Sequence, residues 1–399
     1  MKNHSLLRLI LILTPFVFSF AFGLDIYIPI LPQMTQLFDT TPSVVQLTMS
    51  LFLLTTGVGQ LFIGPLSDQY GRRKIFFLSS IFFGFGSLCC ALSPTITWLI
   101  ISRIISSLGA CGLLVTSFAL VRDLYSGKES AEMYSFLNGA IGISPTFAPI
   151  LGGYLAIYFG WQSIFYFLTC LGLYSFFVTK KWVHETHPLE KRTPLNKSVL
   201  FSYASIFKNR QFLIYSFIAG FAEAVFFCFF STSPFIIIDL LEIPTHQFGY
   251  YFAVFGAVVS LGGILSAKII KKFGIENTIK IGISLMIIGG VSMLSLALFS
   301  PLSIENFLIP MIFACTGAIF LVGSSASAAL EPFPFIAGTA SAAFGALEFG
   351  ISAIVGAILM TFPIHSTIPY ALSILVMSFL SIVMFKYRAR SPELISDEI

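Results

Sequence analysis

The sequence predicts an all-α polytopic membrane protein with twelve transmembrane helices, and three observations lead there. The first is composition: 56% of the 399 residues are apolar, 45 are Phe and only 10% are charged, against about a quarter in a soluble chain. With a mean hydropathy of +0.92, no soluble fold could hide that much apolar surface from water. The second is a series of apolar runs of about twenty residues, the length that crosses a hydrocarbon core roughly 30 Å thick. The third is the placement of Lys and Arg, which outer loops lose and cytoplasmic loops retain.

The runs extend from Leu9 to Pro29, Val44 to Gly64, Ile75 to Leu92, Thr97 to Leu120, Met133 to Tyr158 and Ser163 to Val183. Beyond a hydrophilic stretch, six more follow: Phe212 to Ile238, Phe248 to Ala267, Ile279 to Phe299, Phe307 to Ala328, Ala337 to Phe362 and Pro369 to Phe385. Reading Lys2 and Arg8 as part of a cleaved signal before Ser19-Phe20-Ala21 would leave an odd number of spans and break the charge alternation.

The basic residues fall in alternate loops. Lys2 and Arg8 precede the first run, Arg72, Arg73 and Lys74 follow the second, and Arg122 and Lys128 follow the fourth. Lys180, Lys181, Lys191, Arg192, Lys197, Lys208 and Arg210 surround the central stretch, Lys268, Lys271, Lys272 and Lys280 follow the eighth run, and Lys386, Arg388 and Arg390 follow the last. Of all 22 basic residues, only Arg103 lies elsewhere, inside the fourth run. The opposite loops carry Asp39, Asp239, Glu242 and Glu305, so both termini are expected on the cytoplasmic side of a bacterial inner membrane. The net charge of +4 therefore reports topology and implies no nucleic-acid partner.

The expected organisation is a six-helix half over residues 1–183, a basic cytoplasmic linker over 184–210 with Pro188 and Pro194, and a second six-helix half over 211–399. Duplicated halves with a substrate site near the midplane are a recurrent transporter architecture. A trace of the repeat survives: Gly64 to Lys74 after the second run is echoed by Gly263 to Lys268 and Lys271-Lys272-Phe273-Gly274 after the eighth. The six cysteines are scattered within the runs and the five histidines sit in loops or at run ends, which suits packing and solvation and predicts no metal site. Nor is there a nucleotide-binding Gly-x-x-x-x-Gly-Lys-(Ser/Thr) loop, a nucleophile constellation or a sizeable soluble domain, so neither an enzyme nor an ATP-driven pump is expected.

Gly64-Pro65-Leu66-Ser67-Asp68-Gln69-Tyr70-Gly71-Arg72-Arg73-Lys74 resembles the signature loop of the major facilitator superfamily, departing only at Gln69, and lies between spans two and three as it does there. The resemblance implies a conformational latch built from Gly64, Asp68, Gly71, Arg72 and Arg73, with Arg72 pairing with Asp123; the alternative is a basic cluster that only sets topology. Ala148-Pro149-Ile150-Leu151-Gly152-Gly153 resembles the Gly-Pro-x-x-Gly-Gly element of the family's antiporters, with Ala148 for the first Gly and Ser144 where another Gly is usual. Pro149 bends a helix and Gly152 and Gly153 admit a close neighbour, which kinked packing without antiport would also require. Leu24-Asp25-Ile26-Tyr27-Ile28-Pro29-Ile30-Leu31-Pro32, Ser233-Pro234-Phe235 and Gly338-Thr339-Ala340-Ser341-Ala342 resemble the twelve-spanner drug:proton antiporter branch, of its bicyclomycin and chloramphenicol resistance (Bcr/CflA) type.

Ionisable residues inside spans cost about 2.5–3.5 kcal/mol each on insertion scales and so mark function. Four are present: Asp25, Arg103, Glu223 and Glu348. Arg103 shares a helical face with Ser106, Ser107 and Ala110, which turns it inward, and its expected role is to hold a carboxylate ionised. Pro29 and Pro32 place Asp25 towards the outer end of its span. Glu223 lies among Phe residues, where a proton and a lipophilic cation can compete for one carboxylate while aromatic rings add about 0.5–2 kcal/mol of cation–π attraction. Tyr27, Phe226, Phe227 and Phe230 are the candidate rings. Glu348, between Gly345 and Gly350, stands where the family more often has an uncharged polar residue and marks a specialised substrate or a buried structural hydrogen bond.

Together these imply a proton-coupled secondary transporter exporting amphipathic, including cationic, small molecules by alternating access, with the proton gradient as energy source, no cofactor and no obligate protein partner, as a monomer in the bilayer. A proton-coupled importer, or a dedicated exporter of a metabolite or siderophore-like solute, would use the same fold.

Overall fold

The computed structural model describes residues 6–125, 127–187, 192 and 197–389; Lys2, Pro188, Lys191, Pro194 and Arg390, named above, lie outside them. Every regular element among the described residues is helical. The helices are α1 (Leu6–Asp25), α2 (Leu31–Leu37), α3 (Pro42–Tyr70), α4 (Arg72–Ala91), α5 (Ile96–Leu124), α6 (Gly127–Phe159) and α7 (Gln162–Trp182). After them come α8 (Lys197–Lys208), α9 (Arg210–Pro234), α10 (Thr245–Phe299), α11 (Ile304–Leu330), α12 (Ala337–Leu359) and α13 (Ile368–Ala389).

Among the described residues, eleven helical segments are long and apolar enough to cross a membrane. One of them, α10, is 55 residues long and, unbroken, would extend about 80 Å, far beyond a bilayer. It breaks at Gly274, whose φ of 80° is open to glycine and costly for other residues, between the two apolar runs read from the sequence. The chain starts its helices with side-chain caps where it can: Thr95 accepts from Trp98 N at 3.3 Å, Asn209 from Phe212 N at 2.9 Å and Ser303 from Asn306 N at 3.2 Å.

Around α1 pack α5, α6 and α7, and around α9 pack α11, α12 and α13. These two groups meet along α3 with α12 and α6 with α10. At the end away from the basic loops the meeting is tight. Ser43 Oγ donates to the Met360 carbonyl, Ser50 Oγ to the Ala353 carbonyl at 3.0 Å, and the hydroxyls of Tyr154 and Tyr250 lie 2.7 Å apart. Gly249 and Gly256 of α10 press against Ile150 and Thr146 of α6. Towards the basic end these two helices part, since Gly139 and Gly142 of α6 and Gly263 of α10 face open space.

The basic stretch after α7 contains a feature the sequence reading left as plain linker. Its second part is the amphipathic α8, with Ile206 fully buried and Phe201 exposed. Tyr203 of α8 donates its hydroxyl to the Leu61 carbonyl of α3 at 2.9 Å, while Phe207 meets Phe212 of α9 edge-on at 6.2 Å, so this helix bridges the two groups.

Candidate functional site

Asp25 is the last residue of α1. The chain does not leave the bundle there: Pro29 lies in a 3-10 turn over Ile28–Ile30 and Pro32 in the first turn of α2, positions where a missing N–H costs nothing. The apolar path continues to Leu37, and Asp25 is 4% exposed, so it is interior rather than near an outer surface. The break is seated by a close approach, because a Cβ on Gly152 of α6 would strike the Ile26 carbonyl. Ser144, also of α6, stands beside the Asp25 carboxyl, fully buried and bonded to no backbone carbonyl.

Glu223 lies in the middle of α9 and Glu348 in the middle of α12, both half-buried. Glu223 is near enough for its charge to act on both Asp25 and Glu348, which brings three carboxyl groups from α1, α9 and α12 into one electrostatic neighbourhood. None of the three takes part in an ion pair among the described residues.

Arg103 does not join them through an ion pair. It is 1% exposed, its Nη1 donates to the Gly23 carbonyl at 2.6 Å, and its guanidinium lies 4.3 Å from the Phe52 ring centroid and 5.2 Å from that of Tyr27. The Gly23 carbonyl is available because α1 ends two residues later. Arg103 thus grips the end of α1 that carries Asp25, with Nη2 left without a partner. Ser106, Ser107 and Ala110 are buried beside it.

Of the candidate rings, Tyr27 is enclosed within the first group, 5.5 Å from Phe165. Phe227 packs on Gly356 of α12. Phe226 and Phe230 join Phe255 of α10 at 5.8 and 5.4 Å, forming an aromatic floor beyond Glu223 at the sealed end. The sequence reading missed Gln46 of α3, fully buried, whose Nε2 donates to Ser50 at 2.8 Å and Ser231 of α9 at 3.2 Å while its Oε1 has no partner. A polar residue among apolar ones was its only signal.

At the basic end, Gly71 joins α3 to α4 with a φ of 95°. Arg72, 1% exposed, pairs with Asp68 at 2.5 Å and donates through Nε to Asp123 at 2.9 Å, and its Nη1 also reaches Ser67. Arg73 donates to the Lys180 carbonyl at 3.3 Å. Gly64 faces open space. Arg122 approaches Asp68 at 4.0 Å and crowds Gly338 at the start of α12, linking this loop to the second group. Glu185 was not foreseen: it receives Arg72 N–H at 2.9 Å and Arg73 N–H at 3.3 Å, placing a carboxylate on the first turn of α4. Thr186 donates to Asp123 at 3.2 Å. The Tyr203 phenol is pushed up to about 12 by burial and then by the Asp68 charge.

A family model described as the Major Facilitator Superfamily matches residues 13–357. The chain is 28% identical over 360 residues to the bicyclomycin resistance protein homolog of Haemophilus influenzae, covering 87% of each. It is 28% identical to a chloramphenicol resistance protein of Pseudomonas aeruginosa, over 86% of this chain and 81% of that one, and 30% identical to multidrug resistance protein D of Escherichia coli over 87% of each. The solved structure of a D-xylose-proton symporter superposes with a TM-score of 0.77 at 16% identity, over 99% of this chain and 100% of that one, a likeness of fold alone.

Proposed function

The chain belongs to the major facilitator superfamily, and from that premise we propose that it is a proton-coupled exporter of amphipathic, including cationic, small molecules, working as a monomer by alternating access between two six-helix halves. The observation that carries the proposal is the presence of three carboxyls inside the membrane-spanning helices, Asp25 buried and Glu223 and Glu348 half-buried, with Glu223 near enough to act electrostatically on the other two and no ion pair to any of them among the described residues. Unpaired carboxylates in such a place are costly, and either protons or a cationic substrate relieve the cost. Mutually exclusive relief is what obliges exchange. The names of the relatives, bicyclomycin, chloramphenicol and multidrug resistance proteins, support outward transport of drug-like molecules.

The positive-inside rule puts the basic loops and both termini in the cytoplasm of a bacterial inner membrane. In that orientation the tight end faces outward and the parting of α6 from α10 faces the cytoplasm. Protonation from outside would discharge the carboxyls and release the substrate. Each proton returning down 100 mV supplies about 2.3 kcal/mol. Arg103 maintains the α1 break around Asp25, and the Arg72, Asp68 and Asp123 cluster, with Arg122 at Gly338, acts as a latch between the two groups at the basic end.

Inside-out membrane vesicles acidified in the lumen test the direction. Uptake of a fluorescent lipophilic cation against the proton flow is expected; movement with the protons would favour the importer reading instead.

A further inference from the structure

We infer that Glu223 and Glu348 form a two-charge site that binds one organic dication, two ammonium groups on a single spacer, in exchange for two protons. The inference rests on the proton-coupled export reading and deepens it by naming a substrate class.

The packing of α9 on α12 fixes the relative heights of the two acids. Ser352 Oγ donates to the Gly220 carbonyl at 3.4 Å, a Cβ on Gly220 would meet Ile351, and further along Phe227 meets Gly356, so the helices run parallel in this register. Glu223 lies one turn beyond Gly220 towards the sealed end, and Glu348 one turn before Ser352 towards the basic end. That separates their backbones by about 10 Å along the axes, a distance that two charges on one spacer can span.

A second observation points to a ligand at the lower acid. Ser216 precedes Gly220 by the same four residues as Glu348 precedes Ser352, which brings Ser216 level with Glu348 on the face of α9 that meets α12. It is fully buried and has no hydrogen-bond partner, whereas Ser231 of the same helix takes the usual route back to its own Phe227 carbonyl at 2.9 Å. A buried hydroxyl without a partner at this level of α9 suits a bound polar or cationic head.

Among the described residues no ion pair brings a cation to either acid. The titratable groups acting near Glu223 are Asp25 of α1, Cys315 of α11 and Glu348 itself, and Arg103 is engaged by the Gly23 carbonyl and two rings. Phe349, beside Glu348, stacks on Phe20 of α1 at 5.8 Å, an apolar surface for a spacer. Two inward protons against one outward dication balance in charge.

The test uses purified full-length protein in detergent and weak buffer with a pH dye, and two quaternary probes that carry no exchangeable proton: hexamethylene-bis(trimethylammonium) and hexyltrimethylammonium. Two protons released per bound dication and one per bound monocation are expected, with the dication bound at least tenfold more tightly. In Glu348→Gln the dication should release one proton and lose its tenfold advantage. One proton or fewer per dication in the wild type, with the monocation still binding and releasing one, would overturn this inference alone; that ratio decides even if the variant fails to fold. Binding of neither probe would overturn the export reading with it.

Discussion

Arg72 donates through Nε to Asp123 at 2.9 Å across the end of α5, while the backbone N–H of the same Arg72 is held by Glu185 at 2.9 Å. One residue thereby ties together α3, α4, α5 and the segment after α7. Because Arg72 is buried, removing an acid partner leaves a desolvated cation, and Asp123→Ala should destabilise the protein by about 2–4 kcal/mol, somewhat below a fully buried pair because Asp68 remains. Thermal unfolding in detergent measures it; an unchanged midpoint would mean water solvates Arg72 in place of Asp123.

Glu185 acts as an acidic cap on α4. Glu185→Ala should cost about 1 kcal/mol, as for other N-terminal caps, and slow transport turnover with little change in substrate affinity, since the residue lies far from the three central acids. Parallel measurements of binding and initial flux separate these effects. Loss of binding with normal turnover would contradict the assignment.

Gly152 and Gly139 lie on the same helix but face different surroundings. Gly152→Ala drives a methyl group into the Ile26 carbonyl and should displace the break carrying Asp25, reducing transport at least tenfold. Gly139→Ala enters open space and should leave transport near wild type, with up to about 1 kcal/mol gained from helix propensity. Equal losses in both would argue against a specific seat.

Arg103→Lys should fail almost as fully as Arg103→Ala. The planar guanidinium reaches the Gly23 carbonyl while lying against the rings of Phe52 and Tyr27, an arrangement a compact ammonium does not reproduce. Flux under an imposed pH gradient checks this, and full activity in the Lys variant would reduce Arg103 to its charge.

Much of this was legible in the sequence because its signals are local. Apolar runs, the Gly64 to Lys74 loop and the inward charges at Asp25, Arg103, Glu223 and Glu348 are each readable within a few residues. What escaped depends on distant contacts. Glu185 meets the start of α4 more than a hundred positions away, Gln46 meets Ser231 across the two groups, and neither leaves a local pattern. The prolines after Asp25 misled for a physical reason: they sit in helical first turns, where Pro is well tolerated, so they bend the path without ending it. Arg103 was expected to face a carboxylate, but the free carbonyl at the end of α1 and the rings around it take that place, and a charge alone does not reveal which partner it has.

The most direct test of the account is pH-gradient-driven flux of a fluorescent lipophilic cation in proteoliposomes containing only this protein, comparing the wild type with Glu223→Gln. Cation movement opposite to the protons in the wild type, abolished in the variant although it still folds, is the predicted result. Equal gradient-driven movement in both would contradict proton exchange at Glu223.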